Sequence, residues 1–424
     1  MNTVEKYKKY VNTSMVDKVQ PVVVEKAKGA TITDIAGKDY IDCFSGIAVV
    51  NAGHCNEKVV EAAKAQMDKL VHCCSYVYYS QSTADLAEKL AHITPGRLQK
   101  SFFGSGGAEA IEGALRLAKQ FTGKTEFIAL QASFHGRSYA TLSVTGNNAR
   151  KRRGGPYMAG CTFLPAPYCY RCFFELRYPE CHLRCARALE DIIRFNTYDS
   201  VAAFVAEPLL GEGGIITPPE DYFLEIEKIL KKYGIVFLVD EVQTGFCRTG
   251  KMFAVEHYGV EPDIMVMAKG IADGFPLSAF IAREEIADSF KPGDHLSTFG
   301  GNPVSCAAGL ANIQFLEEHR LADEALKKGA FFKAQLESLK AKYEKIGEIR
   351  GKGLMIGIEL IRDSQKTPAN IEGNKIRDFC CEKGLLLGLG GVYGNVLRIQ
   401  PPLVISQREM QETVRILDLS FQKA

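Results

Sequence analysis

Two apolar, β-branched runs each end abruptly in one ionisable side chain. Ile235-Val236-Phe237-Leu238-Val239 runs into Asp240, and Ile264-Met265-Val266-Met267-Ala268 runs into Lys269. Runs this short and this apolar read as strands buried on both faces, which an open sheet covered by helices provides. Phe127–Leu130 and Val201–Ala206 have the same texture. Helical spacing recurs between the runs: Ile111, Leu115 and Ala118 follow the turn Gly104-Ser105-Gly106-Gly107, and an amphipathic stretch covers Tyr222 to Lys232. The alternation predicts a mostly parallel sheet with helices on both faces.

After about residue 315 the pattern changes. A long charged helix is expected from Ala322 to Tyr343, then a strand over 354–360, a helix near 375–383, strands at 385–387 and 396–399, and a last helix from Gln407. A chain of 424 residues is long for one core. We expect an N-terminal segment (1–50) that joins a small domain, a large domain (51–315) with a cysteine-rich insert at 165–187, and a C-terminal small α+β domain (316–424).

The net charge of +2 gives no reason to expect nucleic acid or a membrane surface as partner. No stretch approaches the roughly 18 uninterrupted apolar residues of a membrane helix, and the first residues lack a signal core. Thirteen cysteines, most of them single in apolar segments, read as reduced thiols in a cytoplasmic protein. The run Arg150-Lys151-Arg152-Arg153, flanked by Asn147-Asn148 and Gly154-Gly155, reads as a solvated loop rather than a phosphate patch.

Strand ends are where open α/β sheets place ligands, so Asp240 and Lys269 should meet there. A lysine can form a Schiff base and an aspartate can hold a pyridinium nitrogen, the two protein groups that pyridoxal 5'-phosphate (PLP) needs most. Gly106-Gly107-Ala108, at a helix start, offers free backbone N–H groups to a phosphate. In Ser133-Phe134-His135-Gly136-Arg137, Phe134 could stack on a flat heterocycle or pack in the core.

Six motifs occur in a fixed order: Gly-Ser-Gly-Gly-Ala-Glu-Ala (104–110), Phe-His-Gly-Arg (134–137), Glu-Pro-Leu-Leu-Gly-Glu-Gly-Gly (207–214), Val-Asp-Glu-Val-Gln-Thr-Gly-Phe-Cys-Arg-Thr-Gly (239–250), Met-Ala-Lys-Gly (267–270) and Thr-Phe-Gly-Gly-Asn-Pro (298–303). From about Val22 onward the chain resembles the class III PLP-dependent aminotransferases. The resemblance implies PLP fold type I, with a large domain around a mostly parallel sheet of the seven-stranded type and a smaller α+β domain. It implies that Lys269 binds the cofactor and moves the proton. Asp240 would keep the ring nitrogen protonated, Gln243 would touch the phenolic oxygen, and Phe134 would stack on the ring with His135 beside it. Gly107 and Ala108 match the phosphate-binding amides, although many relatives have serine where this chain has Ala108. Thr298 resembles a threonine that reaches the phosphate of the neighbouring subunit's cofactor. A homodimer with shared active sites would then be the minimum unit, with a tetramer as a larger option.

Arg398 stands alone in the apolar strand Val396–Ile399 and could grip a carboxylate bidentately. It matches the family's α-carboxylate arginine. Arg137 matches a second arginine that binds a distal carboxylate, and Glu212 matches a glutamate that pairs with the first arginine until a substrate carboxylate displaces it. Glu207, in the same motif, is counted with the substrate-binding residues, and Ile47 with the pocket lining. Gly46–Val49 and Asn51–His54 resemble the 4-aminobutyrate aminotransferase branch. The resemblance therefore implies ping-pong transfer from a 4-aminobutyrate-like donor to a 2-oxo acid, 2-oxoglutarate above all. Residues 350–359 are equally at home in alanine–glyoxylate, taurine or β-alanine enzymes, and a PLP lyase or epimerase uses the same fold and cofactor residues.

Cys169, Cys172, Cys181 and Cys185 form a CxxC and a CxxxC with eight residues between. Four thiolates so close could hold zinc or an iron–sulfur cluster, with His182 as a lesser ligand, or remain reduced thiols in a surface insert.

Overall fold

The computed structural model describes residues 1–12 and 19–423. Two seven-stranded sheets organise it. Across the first run Leu98–Gly104, Ser278–Arg283, Ile264–Met267, Val236–Asp240, Val201–Ala206, Glu126–Leu130 and Cys161–Leu164. Ser278–Arg283 lies antiparallel to both neighbours, and every other pairing is parallel. The mostly parallel sheet is therefore present, with one reversed strand.

The central strands are buried along their whole length because helices cover both faces. Helix Gly107–Thr122 buries Ile111, Leu115 and Ala118, and also Ala110, Gly113, Ala114 and Leu117. Gly113 is needed there: a Cβ would lie 2.4 Å from the Phe280 ring on the reversed strand. Helix Tyr222–Tyr233 covers the other side, where Phe223 and Phe237 stack with ring centroids 6.0 Å apart.

The second sheet runs Val24–Lys28, Thr31–Asp34, Asp39–Cys43, Leu385–Gly390, Val396–Ile399, Met355–Leu360 and Ile346–Lys352. It joins strands from far apart in sequence, through the parallel pairing of Ile41–Cys43 with Leu385–Leu387. Val396–Ile399 is central, so Arg398 faces Gly357 on one neighbour and Gly388 on the other. Helices Leu321–Lys342, Asn370–Glu382 and Gln407–Lys423 accompany it.

One side chain ties the two parts together. The fully buried Arg248 donates to the carbonyls of Leu354 (3.1 Å) and Pro401 (2.5 Å) and to Asn51 Oδ1 (2.6 Å). Among the described residues no helix is long and apolar enough to cross a membrane.

Candidate active site

The strand ends of the first sheet open into a cavity of about 330 Å³. Gly107, Ala108, Phe134, His135, Arg137, Glu207, Glu212, Asp240, Gln243 and Lys269 all line it. Its strand stops at Met267, and Lys269 opens a tight helical turn with φ of 44°. A side chain at positive φ is strained and persists only where its surroundings fix it. Here the buried Asn312 amide donates to the carbonyls of Gly270 (2.8 Å) and Ile271 (3.0 Å). Burial lowers the Lys269 pKa and outweighs Asp240, Glu207 and Glu212, whose charges favour the ammonium form. The neutral amine, which is the nucleophile, becomes more available.

Asp240, 3% exposed, is held on both oxygens. Oδ1 accepts from the Val242 N–H (3.0 Å), and Oδ2 lies 2.7 Å from His135 Nδ1. A carboxylate only accepts, so the shared proton belongs to Nδ1. The sequence reading set His135 beside Phe134 and missed this pairing. Nε2 of His135 is buried with no hydrogen-bond partner among the described residues.

Glu207 fastens the cavity wall instead of pointing a free carboxylate into it. Oε1 accepts from the Phe134 N–H (2.9 Å) and Oε2 from the Gly211 N–H (2.8 Å). Burial, reinforced by Asp240, pushes its pKa up to about 7 despite nearby His135 and both amides. Gln243 Oε1 accepts from Gln400 Nε2 (3.3 Å).

Glu212 bridges two guanidiniums. Oε2 accepts from Arg398 NH1 (3.0 Å), and Oε1 accepts from Arg150 NH2. Although burial opposes its charge, Arg398 and Arg150 keep the Glu212 carboxyl below its ordinary pKa. Arg398 is 5% exposed and reaches Glu212 past Gly390, where a Cβ would crowd the guanidinium at 3.1 Å. The reading of Arg150 as a solvated loop residue is thus corrected: it turns inward, while Arg152 and Arg153 are exposed. Arg137 lines the cavity but is exposed, and makes no side-chain hydrogen bond or ion pair among the described residues.

Three expected site residues are not among those lining the cavity: Arg398, which meets it through its bond to Glu212, Ile47 and Thr298. Ile47 is 43% exposed in a short turn where Ser45 through Ala48 all have positive φ; its neighbour Val49 lines the cavity instead. Thr298 sits on an exposed loop with Leu296 and Phe299.

The cysteine expectation needs a correction as well. Cys169, Cys172, Cys181 and Cys185 do surround one small cavity of about 20 Å³. Yet among the described residues no group of three or more His, Cys, Asp or Glu side chains is arranged to hold a metal ion. Burial pushes the Cys169 thiol up to about 11 and the Cys185 thiol up to about 12. The insert is anchored by ion pairing: buried Glu359 accepts from Tyr168 Oη, Arg171 Nε (2.5 Å) and Arg350 NH1 (2.5 Å).

The cavity residues fit PLP. Lys269 supplies an amine whose pKa is lowered by burial, and Asp240 a carboxylate fixed by His135. Phe134 supplies an aromatic face. Helix Gly107–Thr122 begins without a side-chain cap, which leaves its first amides available to a phosphate.

The aminotransferase class-III family model matches residues 13–421. The chain is 41% identical over 394 residues to the leucine/methionine racemase of Thermococcus litoralis, covering 92% of this chain and 88% of that protein. It is 40% identical over 398 residues to the acetylornithine aminotransferase of Methanothermobacter thermautotrophicus, covering 94% and 93%. An aminotransferase structure from Bacillus anthracis superposes with a TM-score of 0.94 at 32% identity over the full length of both chains. With Lys269, Asp240 and the amides of Gly107 and Ala108 in one cavity of this fold, the chain belongs to the class III PLP-dependent aminotransferases of fold type I.

Proposed function

We propose that this enzyme is an ω-aminotransferase that moves the amino group of a 4-aminobutyrate-like donor to a 2-oxo acid, 2-oxoglutarate above all, in two half-reactions. PLP, when bound, supplies the carbonyl that takes up the amine and the ring that withdraws electrons. In this reading Lys269 moves the proton and Asp240, steadied by His135, holds the ring nitrogen. Gln243 meets the phenolic oxygen, Phe134 covers the ring, and the amides of Gly107 and Ala108 take the phosphate. Arg398 and Arg137 position substrate carboxylates, with Glu212 as the movable gate and Glu207 fixing the wall.

The observation that carries this reading is Glu212, which lines the cavity together with Lys269 and accepts a hydrogen bond from Arg398. With Glu212 in place the arginine is neutralised and an uncharged or amine-bearing end is tolerated. With Glu212 displaced, a carboxylate takes its partner.

A homodimer with shared sites is part of the proposal. Thr298 lies on a surface where Tyr79, Leu296 and Phe299 are exposed, and Phe299 packs on His72 with ring centroids 5.4 Å apart. Such an apolar patch is what a second copy would cover. Ile47, also exposed, would line the pocket once that copy is present. The chain's division at 50 and 315, with strands before residue 44 joining the C-terminal part, is retained as a domain proposal. Thirteen free cysteines support a reducing, cytoplasmic setting.

The test is a single-turnover absorbance scan of the purified enzyme with 4-aminobutyrate and no acceptor. Loss of the visible cofactor band, restored by 2-oxoglutarate, is the expected result. A band unchanged by 4-aminobutyrate removes that donor, and the same scan then ranks N-acetylornithine, taurine, β-alanine and alanine. The likeness to a leucine/methionine racemase favours a second reading, an amino-acid epimerase. Inversion of L-leucine without any 2-oxo acid would establish it.

A further inference from the structure

We propose that Arg150 is a specificity-determining residue that, with Arg398, makes this pocket select dicarboxylates over monocarboxylates of equal length. The inference rests on the reading of Glu212 as a displaceable gate and deepens it by assigning a substrate class to the space Glu212 vacates.

Three observations converge. First, the Glu212 carboxylate, which lines the cavity, is shared: Arg398 takes one oxygen and Arg150 the other. The trio carries a formal charge of +1, and displacement of Glu212 takes from both guanidiniums the carboxylate they share. A monoanion can satisfy only one of them at full strength, whereas a dianion balances both.

Second, the position of Arg150 is built into the fold. Its turn, Asn148–Arg150, is capped by the Asn147 side chain, which accepts from the Ala149 N–H (3.1 Å). Asn147 is 4% exposed, and its N–H donates to the Ser133 carbonyl (3.0 Å). The Gly146 N–H donates to Ser133 Oγ (3.1 Å), and a Cβ at Gly146 would lie 2.1 Å from the Leu130 carbonyl oxygen. The loop base is thus fastened to the segment that carries Phe134, which fixes the root of Arg150 against the cavity wall.

Third, the spacing is suitable. Two guanidiniums bridged by one carboxylate stand apart by that group's width plus a hydrogen bond on each side. A chain with three carbons between its carboxyl groups spreads them by about 5 Å and can span such a gap. Glutamate, 2-oxoglutarate and the inert glutarate share this skeleton.

The experiment compares binding of glutarate and pentanoate to the PLP-loaded enzyme by calorimetry, in wild type, Arg150→Gln, Arg150→Lys and Arg153→Gln. The probes match in carbon number and differ in having a carboxylate or a methyl group at one end. Wild type is expected to favour glutarate by roughly 10-fold or more, the scale of one charged hydrogen bond. Arg150→Gln should lower the ratio severalfold, to what Arg137 alone provides. Arg150→Lys, which keeps the charge but not the fork, should fall between. Arg153→Gln removes the same charge from the exposed part of the loop and should keep the ratio. A wild type without preference, or an Arg150→Gln enzyme that keeps it, overturns the proposal. If Arg150→Gln does not fold, Arg150→Lys decides: a ratio equal to wild type overturns the proposal. The readout is equilibrium binding, so a wild type that prefers glutarate but fails to transaminate 2-oxoglutarate would sink the proposed reaction and leave the assignment of Arg150 standing.

Discussion

Two carboxylates in one cavity are held in opposite ways. Asp240 is fixed by a neighbouring amide and by the equally buried His135, on a strand end that cannot move without disturbing the sheet. Glu212 is held by two long, flexible cations that reach it from separate segments, one from a surface turn and one from the second sheet. The first arrangement has one low-energy state. The second has an alternative whenever another anion arrives, because both guanidiniums can change partner without becoming desolvated alone. The chemistry common to all substrates would depend on the rigid pair, and the choice among substrates on the exchangeable one.

This contrast can be broken, and the largest effect should come from the rigid pair. Asp240→Asn is expected to lower kcat/KM by roughly 100- to 1000-fold for every donor tested, because it removes a preorganised charge from a buried site. Steady-state kinetics with three unlike donors checks this, and a loss confined to one donor would contradict it. Next, His135→Asn should cost roughly 10- to 100-fold in wild-type background but little more in the Asp240→Asn background, as residues of one hydrogen-bonded unit are not additive. A full additive loss would show that His135 acts apart from Asp240.

Glu212→Gln should act selectively. Without its charge the two arginines stay open to anions, and kcat/KM for glutamate should rise relative to 4-aminobutyrate by roughly 10-fold. Equal changes for both donors would mean that Glu212 is not a gate.

The smallest effect concerns stability. Burial pushes Glu207 and Glu241 from an ordinary 4.5, and Asp273 from 3.8, up to about 7. Between those values these three groups hold more protons in the folded chain than in the unfolded one. Their contribution to stability therefore falls as pH rises from about 4 to about 7 and levels off above. Glu241→Gln should flatten that slope by at most about 1.4 kcal/mol per pH unit, measured as urea midpoints at several pH values. A steeper slope in the variant would reverse the sign assigned here.

The rigid side of the site was legible in the sequence for a local reason. Asp240 and Lys269 each close an apolar run, Gly107 and Ala108 open a helix, and Phe134 follows a strand, so backbone pattern alone places all of them at one sheet edge. Arg150 was not legible. It sits in a polar, basic run whose composition points to solvent, and its direction is decided by bonds from residues 146 and 147 back to Ser133. The only local hint was Gly146-Asn147, a turn pair whose packing the sequence does not reveal. In the second sheet, Val24–Lys28 reads Val-Glu-Lys-Ala-Lys and is largely exposed, with too little apolar alternation to mark a strand. The cysteine spacing suggested a metal site, but spacing does not specify how side chains converge, and Tyr168 and Arg171 of that insert are drawn to Glu359.

The parallel pairing of Ile41–Cys43 with Leu385–Leu387 also bears on how the molecule comes into being. On the ribosome the early strand can pair with Thr31–Asp34 along one edge, but its other edge must wait until a partner emerges hundreds of residues later, whereas the first sheet's strands all lie between residues 98 and 283. A nascent chain could therefore present Asp240 and Lys269 in their final surroundings before Arg398 has been made. The carboxylate gate would be the last part of the site to be completed, because Arg398 joins Glu212 and Arg150 only once the second sheet closes.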